Sequence, residues 1–291
     1  MRMPDAERAQ LRREGLKTAL LMAPAVIVFI GLFVAPLAWF FVQSFWRNAT
    51  FRVVPDFQFG NYATAFRDYG GVLLRTLGTG LEVGGITTVL AFFFAYAVRF
   101  ALGRAGPLIL VIALTTLFGG YVVKVYAWRS LLGLDGILNG ALMAAGLTDA
   151  PVEALLFNAG AVTVTLTHYL LPLAILPLYG ALADMDETVI AAARDSGASA
   201  PRTMFDIVLP QIRPALIASF AMSFLLAAGD YVTPALVGSP GNAMYGNFIQ
   251  SQFGLRMNTP LGAAMSFSLL GCCLLILATV WLVMRRVLRA R

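Results

Sequence analysis

Residues Ala191–Pro210, AAARDSGASAPRTMFDIVLP, form one of the few extended polar stretches in a very apolar chain. The stretch contains acids, bases, Ser and Gly, yet long hydrophobic segments flank it on both sides. Charges and unpaired backbone groups in lipid cost several kcal/mol each. We therefore expect this stretch to be a structured loop on a water-facing side of a membrane protein.

The order of residues in this region predicts two short helices joined by a turn. Asp186–Arg194 has the composition of a helix, and Gly197 is its natural end, because Gly adopts positive φ without strain. Ser199 is expected to cap a second helix, with Pro201 in its first turn, where a missing N–H is harmless.

The composition of the whole chain is that of an integral membrane protein. Of its 291 residues, 59% are hydrophobic and 12% are charged, whereas a soluble domain carries about 25% charged residues. Six hydrophobic runs reach the ~20 residues that one helical crossing needs. The sequence therefore predicts an all-α membrane protein with six transmembrane helices, at Thr18–Phe41, Leu77–Val98, Pro107–Trp128, Leu156–Tyr179, Pro214–Leu236 and Leu261–Met284.

These runs divide the chain into three regions and predict its orientation. Residues 1–17 form an N-terminal arm, residues 18–284 a transmembrane domain with a polar loop at 181–213, and residues 285–291 a basic tail. Fourteen of the 21 Lys and Arg residues lie on the side of the arm, the polar loop and the tail, and six lie on the other side. Because cytoplasmic loops carry the excess of positive charge, we expect both termini and the polar loop to be cytoplasmic.

The spacing within the polar loop resembles the cytoplasmic signature of ABC-importer permeases. Ala191 stands where that signature usually has Glu, and Glu187, one helical turn earlier, is an alternative carboxylate. The resemblance implies a type I ABC importer permease fold, in which this loop contains a coupling helix that docks on a separate ATPase subunit. The coupling residues it implies are Glu187, Ala191, Ala192, Ala193, Gly197, Ala198, Ile207, Leu209 and Pro210.

Two further stretches are similar to the spermidine/putrescine (polyamine) type of these permeases. They are Lys124–Gly133, KVYAWRSLLG, with Asn139, and Gly229–Gly238, GDYVTPALVG, with Asn247 and Ile249. The resemblance implies a bacterial inner-membrane subunit that works with a homodimeric ABC ATPase, a second permease and an extracytoplasmic solute-binding protein. ATP and Mg would then be bound by the ATPase, and this chain would bind no cofactor, metal or nucleic acid. Relatives carry other small ligands, so another amine, a phosphonate, a metal or an anion is the alternative cargo.

Three charged residues lie inside the hydrophobic runs, and a charge in a span marks a candidate functional site. Glu82, Lys124 and Asp230 are all expected in the external half of the membrane, where they could line a vestibule for a ligand. The alternative is that Lys124 reaches the interface and pairs with Glu82, while Tyr126 and Trp128 belong to the aromatic belt.

Asp230 follows Gly229 and precedes Pro234, so we expect its helix to be broken there. Broken helices in membranes line cavities, and a carboxylate beside Tyr231 suits an ammonium ligand. The alternative is a structural hydrogen bond from Asp230 to neighbouring backbone. His168, in the middle of the fourth span, is expected to form a hydrogen bond between helices.

The sequence lacks the residue patterns of an enzyme. The only lysines are Lys17 and Lys124, and neither follows Gly, which excludes a Gly-Lys-Ser/Thr phosphate loop. One His, with Cys272 and Cys273 inside a hydrophobic run, offers neither a zinc site nor a Cys–His nucleophile pair. The chain is therefore expected to be a non-catalytic transport subunit; the rival classes are a self-contained secondary transporter and a membrane-bound transferase.

Overall fold

The computed structural model describes residues 5–49 and 52–288. Parts of two predicted regions lie outside the described residues: residues 1–4 of the N-terminal arm and residues 289–291 of the basic tail.

The described chain is built almost entirely of helices, with one small β-hairpin after the first span. Helix α1 continues through a π-helical turn, Ile30–Val34, into α2, and strands β1 and β2 pair antiparallel with Arg47 opposite Val54. In chain order the elements are α1 Asp5–Phe29, α2 Ala35–Gln43, β1 Arg47–Ala49, β2 Arg52–Val54, α3 Gly60–Arg67, α4 Gly70–Tyr96, α5 Gly106–Thr115, α6 Tyr121–Leu132, α7 Ile137–Ala144, α8 Ala159–Ala183, α9 Glu187–Asp195, α10 Ala200–Thr203, α11 Leu209–Gln211, α12 Arg213–Ala228, α13 Val232–Val237, α14 Tyr245–Phe253 and α15 Thr259–Val287.

Four helical segments of the described chain are long and apolar enough to cross a membrane without interruption. They are Lys17–Gln43, Gly70–Ala101, Ala159–Ala183 and Thr259–Val287. Two further candidates are bent pairs, Gly103–Phe118 with Tyr121–Ala144 at 101° and Ala200–Gln211 with Arg213–Ala228 at 72°. The all-α membrane class is confirmed, and the number of spans reaches the predicted six when each bent pair is counted as one.

The prediction of one continuous helix over Pro107–Trp128 is wrong, because the helix is broken near its middle. The chain turns sharply at Gly119–Gly120, so α5 and α6 do not share an axis. Both glycines have extended backbone, with ψ of 131° and 136°, which interrupts the helical hydrogen bonds. As a result, Lys124, Tyr126 and Trp128 lie on a separate helix after the break, rather than at the end of a straight span.

The fifth predicted span, Pro214–Leu236, is also interrupted. Helix α12 ends at Ala228 and α13 begins at Val232. The break between Gly229 and Pro234 that the sequence predicts is therefore confirmed.

The core of the described chain is a three-helix packing of α4, α8 and α12. Gly80 and Gly84 of α4 allow close approach to α12, since a Cβ on Gly84 would lie 3.1 Å from the Cβ of Phe224. Phe224 is fully buried there. The Ser219 hydroxyl of α12 donates to the carbonyl of Ala174 on α8 at 3.1 Å, so all three helices are joined tightly. The first span lies outside this core, and none of its apolar membrane stretch is buried in the described chain.

Candidate functional site

The polar loop has the predicted two-helix form. The Asp186 carboxylate caps α9 by accepting a hydrogen bond from the Thr188 N–H at 2.9 Å, and this bond holds the pKa of Asp186 below its usual value. At the other end, the Ala198 N–H donates to Ala193 and the Gly197 N–H donates to Arg194. This pair of bonds is the Schellman arrangement, which places a left-handed residue after the helix. Gly197 is that residue, with φ of +81°.

The second half of the polar loop runs from α10 through a π-helical turn into α11. Pro201 stands in the first turn of α10 as predicted. Ser199 stands at the N-cap position, but its side chain accepts no capping hydrogen bond, so that part of the prediction is wrong. The chain then bends by 72° at Ile212 and enters α12.

One face of the polar loop is anchored in the protein and the other is exposed. Ile190, Val208 and Ile212 are buried in one apolar cluster with residues of α4 and α8. Of the candidate coupling residues, Ala193, Ala198, Ile207, Leu209 and Pro210 are half-buried, whereas Glu187, Ala191, Ala192 and Gly197 are exposed. Phe205 adds an apolar ring that is 63% exposed.

Glu187 has a partner within the chain. Its Oε1 lies 2.6 Å from Nη1 of Arg99, a residue of the π-helical turn that ends the span Gly70–Ala101. The Arg99 side chain is only 26% exposed, and its guanidinium also stacks on Phe100 at 5.1 Å. This ion pair connects the start of α9 to the end of that span. Local patterns in the sequence do not predict the contact, because the two residues are 88 positions apart.

At the opposite end of the bundle, one phenol joins the two helix breaks. Tyr121, the first residue of α6, donates its hydroxyl proton to Oδ1 of Asp230 at 2.5 Å. The same hydroxyl lies 2.7 Å from Oγ1 of Thr233, which is fully buried. The break before α6 is thereby bonded to the break before α13.

The Asp230 carboxylate is also the cap of α13. Its Oδ1 accepts from the Val232 N–H at 3.0 Å, and its Oδ2 accepts from the Thr233 N–H at 3.2 Å. The geometry favours the structural alternative for this side chain, because its hydrogen bonds are directed at backbone and at Tyr121. Tyr121 and Thr233 were missed by sequence reasoning, although the Gly-Gly pair before Tyr121 and the Asp two residues before a helix are both signals of capped breaks.

Lys124 lies beside this network, with its Nζ 5.4 Å from the ring centroid of Tyr169. The ring centroids of Tyr169 and Tyr121 are 4.6 Å apart. Trp128 contacts His168 edge to face at 5.5 Å. In the described chain the His168 ring makes this contact rather than the predicted hydrogen bond between helices. Tyr126 is 51% exposed on the outer side of α6.

Glu82 is not part of this group. It lies on the exposed face of α4, opposite the face that packs on α8 and α12, and no ion pair joins it to Lys124 within the described residues. The structure therefore brings Lys124 and Asp230 together through two tyrosines, and leaves Glu82 on the outside of this chain.

Tyr231 points away from the Asp230 network and lines a cavity of about 650 Å³ formed with α14 and α15. Its side chain is 47% exposed. Asn247 of α14 donates to the Tyr231 carbonyl at 2.7 Å, which fixes α14 against the break. Asn139 has a comparable role in its loop, where it is fully buried and bonded to Gly133 and Val152. Across residues 5–49 and 52–288, no group of three or more His, Cys, Asp or Glu could hold a metal ion.

Comparisons with known proteins agree with this architecture. Residues 16–291 match the family described as binding-protein-dependent transport system inner membrane component. The chain is 31% identical over 213 residues to the spermidine/putrescine transport system permease protein PotB of Escherichia coli (strain K12). The alignment covers 73% of this chain and 77% of that protein. It is 30% identical over 263 residues to the inner membrane ABC transporter permease protein YdcU of the same organism, covering 81% and 84%.

The fold is that of a solved transporter chain. The structure aligns with a TM-score of 0.72 to a chain of a bacterial ABC transporter involved in the import of the acidic polysaccharide alginate, over 98% of this chain and 100% of that one. The two sequences are 15% identical, so this likeness concerns the fold alone.

Proposed function

Because the chain belongs to the family of binding-protein-dependent transport system inner membrane components, we propose that it forms, with a second permease, the pathway of an ABC importer for a polyamine such as spermidine or putrescine. The observation that carries the cargo class is the 31% identity to a spermidine/putrescine permease over 73% of the chain. Among the alternatives, a self-contained secondary transporter is not favoured, since the family works with a binding protein.

The external end of the chain suits a cation better than an anion. The cavity beside Tyr231 is bounded by two aromatic residues, backbone and uncharged side chains, and the described residues that line it include no Lys or Arg. A phosphonate or another anion would lack a positive partner there, whereas an ammonium group finds an exposed ring and the negative end of α12.

The polar loop is proposed to dock on a homodimeric ABC ATPase, which would bind ATP and Mg, while this chain binds no cofactor and catalyses no reaction. The exposed apolar surface of Ala191, Ala192 and Phe205 is suited to a protein partner. The Arg99–Glu187 ion pair holds α9 in place within this chain. Glu187 therefore acts as an internal tether in this proposal, rather than as a contact to the ATPase.

The cargo is tested by uptake in cells that lack their own polyamine transport. The chain is expressed together with the second permease, the ATPase and the binding protein encoded with it, and uptake of radiolabelled spermidine and putrescine is measured. We expect measurable uptake of both polyamines. Unlabelled polyamine should compete with this uptake, whereas inorganic phosphate and an aminophosphonate should not affect it. Competition by the phosphonate but not by polyamine would contradict the proposed cargo.

The proposed orientation places the polar loop and both termini in the cytoplasm and the Tyr231 end outside. Single cysteines are introduced by Phe205→Cys and Asn242→Cys in a background with Cys272→Ser and Cys273→Ser. In intact spheroplasts, we expect a membrane-impermeant maleimide to label the cysteine at position 242 and not the one at 205, with the reverse in inverted vesicles. Labelling of position 205 in spheroplasts would reject the orientation and the ATPase docking with it.

Gly197 provides a test of the polar loop. No atom lies within 4 Å of the position where a Cβ on Gly197 would sit, so the penalty of a substitution comes from its φ of +81° rather than from crowding. A left-handed backbone costs most residues roughly 1–2 kcal/mol, and Asn less. We expect Gly197→Val to abolish most binding-protein-stimulated ATP hydrolysis while the chain still inserts in the membrane, and Gly197→Asn to retain most of it. Normal stimulation in Gly197→Val would show that this turn has no part in coupling.

A further inference from the structure

The break after α12 leaves backbone carbonyl groups without partners. In a continuous helix, the Val232 and Thr233 N–H groups would bond to the carbonyls of Ala228 and Gly229. Here both N–H groups donate to the Asp230 carboxylate instead. The Asp230 carbonyl has no helical partner either, because residue 234 is a proline and has no N–H.

The carbonyl oxygens of Gly229 and Asp230 thus accept no hydrogen bond from any residue in the described parts of the chain. An unpaired carbonyl at membrane depth is unfavourable unless it faces water or a ligand. The Asp230 carboxylate takes the Thr233 N–H that the Gly229 carbonyl would otherwise use, whereas the proline at position 234 leaves the Asp230 carbonyl without a donor.

Both oxygens lie against Gly246, which is one of the residues that line the cavity beside Tyr231. Gly229, Tyr231 and Gly246 line that cavity together. A Cβ on Gly246 would sit 2.9 Å from the Asp230 oxygen and 3.2 Å from the Gly229 oxygen, so only glycine fits against them. The cavity of about 650 Å³ is large enough for part of a small ligand.

The electrostatics of this wall favour a positive group. The carbonyls lie at the C-terminal end of α12, a helix of 16 residues, and that end carries roughly half a negative charge. The Asp230 carboxylate behind them adds a full negative charge, and the half-exposed Tyr231 ring offers a cation–π face. Asp, Glu, Lys and Arg are all absent from the described residues that line the cavity, so the site is attractive to a cation but not strongly charged.

We propose that this cavity holds one ammonium group of the cargo, with the carbonyl oxygen of Gly229 as an acceptor and the Tyr231 ring against the ammonium. An ammonium group has three N–H donors, and one would be used by this carbonyl. The inference rests on the proposed polyamine import and adds to it the part of the chain that contacts the cargo. The Asp230 carboxylate is then a positioning group, which takes the Thr233 N–H away from the Gly229 carbonyl rather than touching the ligand.

The test measures transport and ATP hydrolysis in the same sample. The complete importer is reconstituted in liposomes with its binding protein saturated with putrescine, and the amount of putrescine imported per ATP hydrolysed is determined. Tyr231→Leu removes the ring, Tyr231→Phe keeps it as the matched control, and Gly246→Ala places a methyl group against the two oxygens. Recovery and melting temperature of each purified complex are recorded, because the methyl group of Gly246→Ala also meets backbone atoms at 2.9–3.2 Å.

We expect Tyr231→Leu to lower the ratio of putrescine imported to ATP hydrolysed about threefold or more, as for a partly exposed cation–π contact. Tyr231→Phe should stay near wild type, and Gly246→Ala, where it assembles, should fall with Tyr231→Leu. An unchanged ratio in Tyr231→Leu, or an equal loss in Tyr231→Phe, would overturn the site while polyamine import stands. No putrescine import by the wild-type complex would reject the cargo itself, and the site with it.

Discussion

The end of the bundle opposite the polar loop depends on three hydrogen bonds that the Asp230 carboxylate accepts. It accepts the N–H groups of Val232 and Thr233 and the hydroxyl of Tyr121. Because a membrane offers no solvent to satisfy broken helices, each break must be completed by protein groups or must line a cavity. One side chain completes the start of α13 and joins it to the start of α6, and it leaves unpaired the carbonyl of Gly229, a residue that lines the cavity beside Tyr231. The structure of the two breaks and the chemistry of the cavity therefore have the same origin.

The end of the protein that we propose to be cytoplasmic is stabilised by different interactions. The polar loop is held by buried Ile190, Val208 and Ile212, by the turn at Gly197 and by the Arg99–Glu187 ion pair, and it leaves an apolar surface exposed. A single helix, α12, begins at the bend after this loop and ends at the Asp230 break. Its 16 residues span about 24 Å at 1.5 Å per residue. A displacement of the polar loop by a partner would thus reach the proposed ligand cavity through one rigid element.

Local patterns in the sequence predict much of this fold, and contacts between distant residues account for what they miss. Hydropathy predicts the helical membrane class, and the special backbone properties of Gly and Pro predict the turn at Gly197 and the break near Asp230. The bend at Gly119–Gly120 was missed because the flanking apolar residues continue without interruption. No periodicity reveals that Tyr121 reaches Asp230 across 109 positions, or that Arg99 reaches Glu187. The depth of Glu82 in its span predicts a position near Lys124 and Asp230. The packing of α4 on α8 and α12 instead leaves Glu82 on the opposite, exposed face of the helix.

The bond between Tyr121 and Asp230 is tested most directly by a double-mutant cycle. Tyr121→Phe, Asp230→Ala and the double variant are made in the assembled importer, and the free energy of unfolding is measured in mixed micelles. The two positions are predicted to be coupled by about 1.5 kcal/mol or more, the size of a hydrogen bond to a charged group. The double variant should then be less destabilised than the sum of the single variants. If the losses of unfolding free energy in the two single variants sum to the loss in the double variant within about 0.5 kcal/mol, the two helix breaks are not joined by this bond.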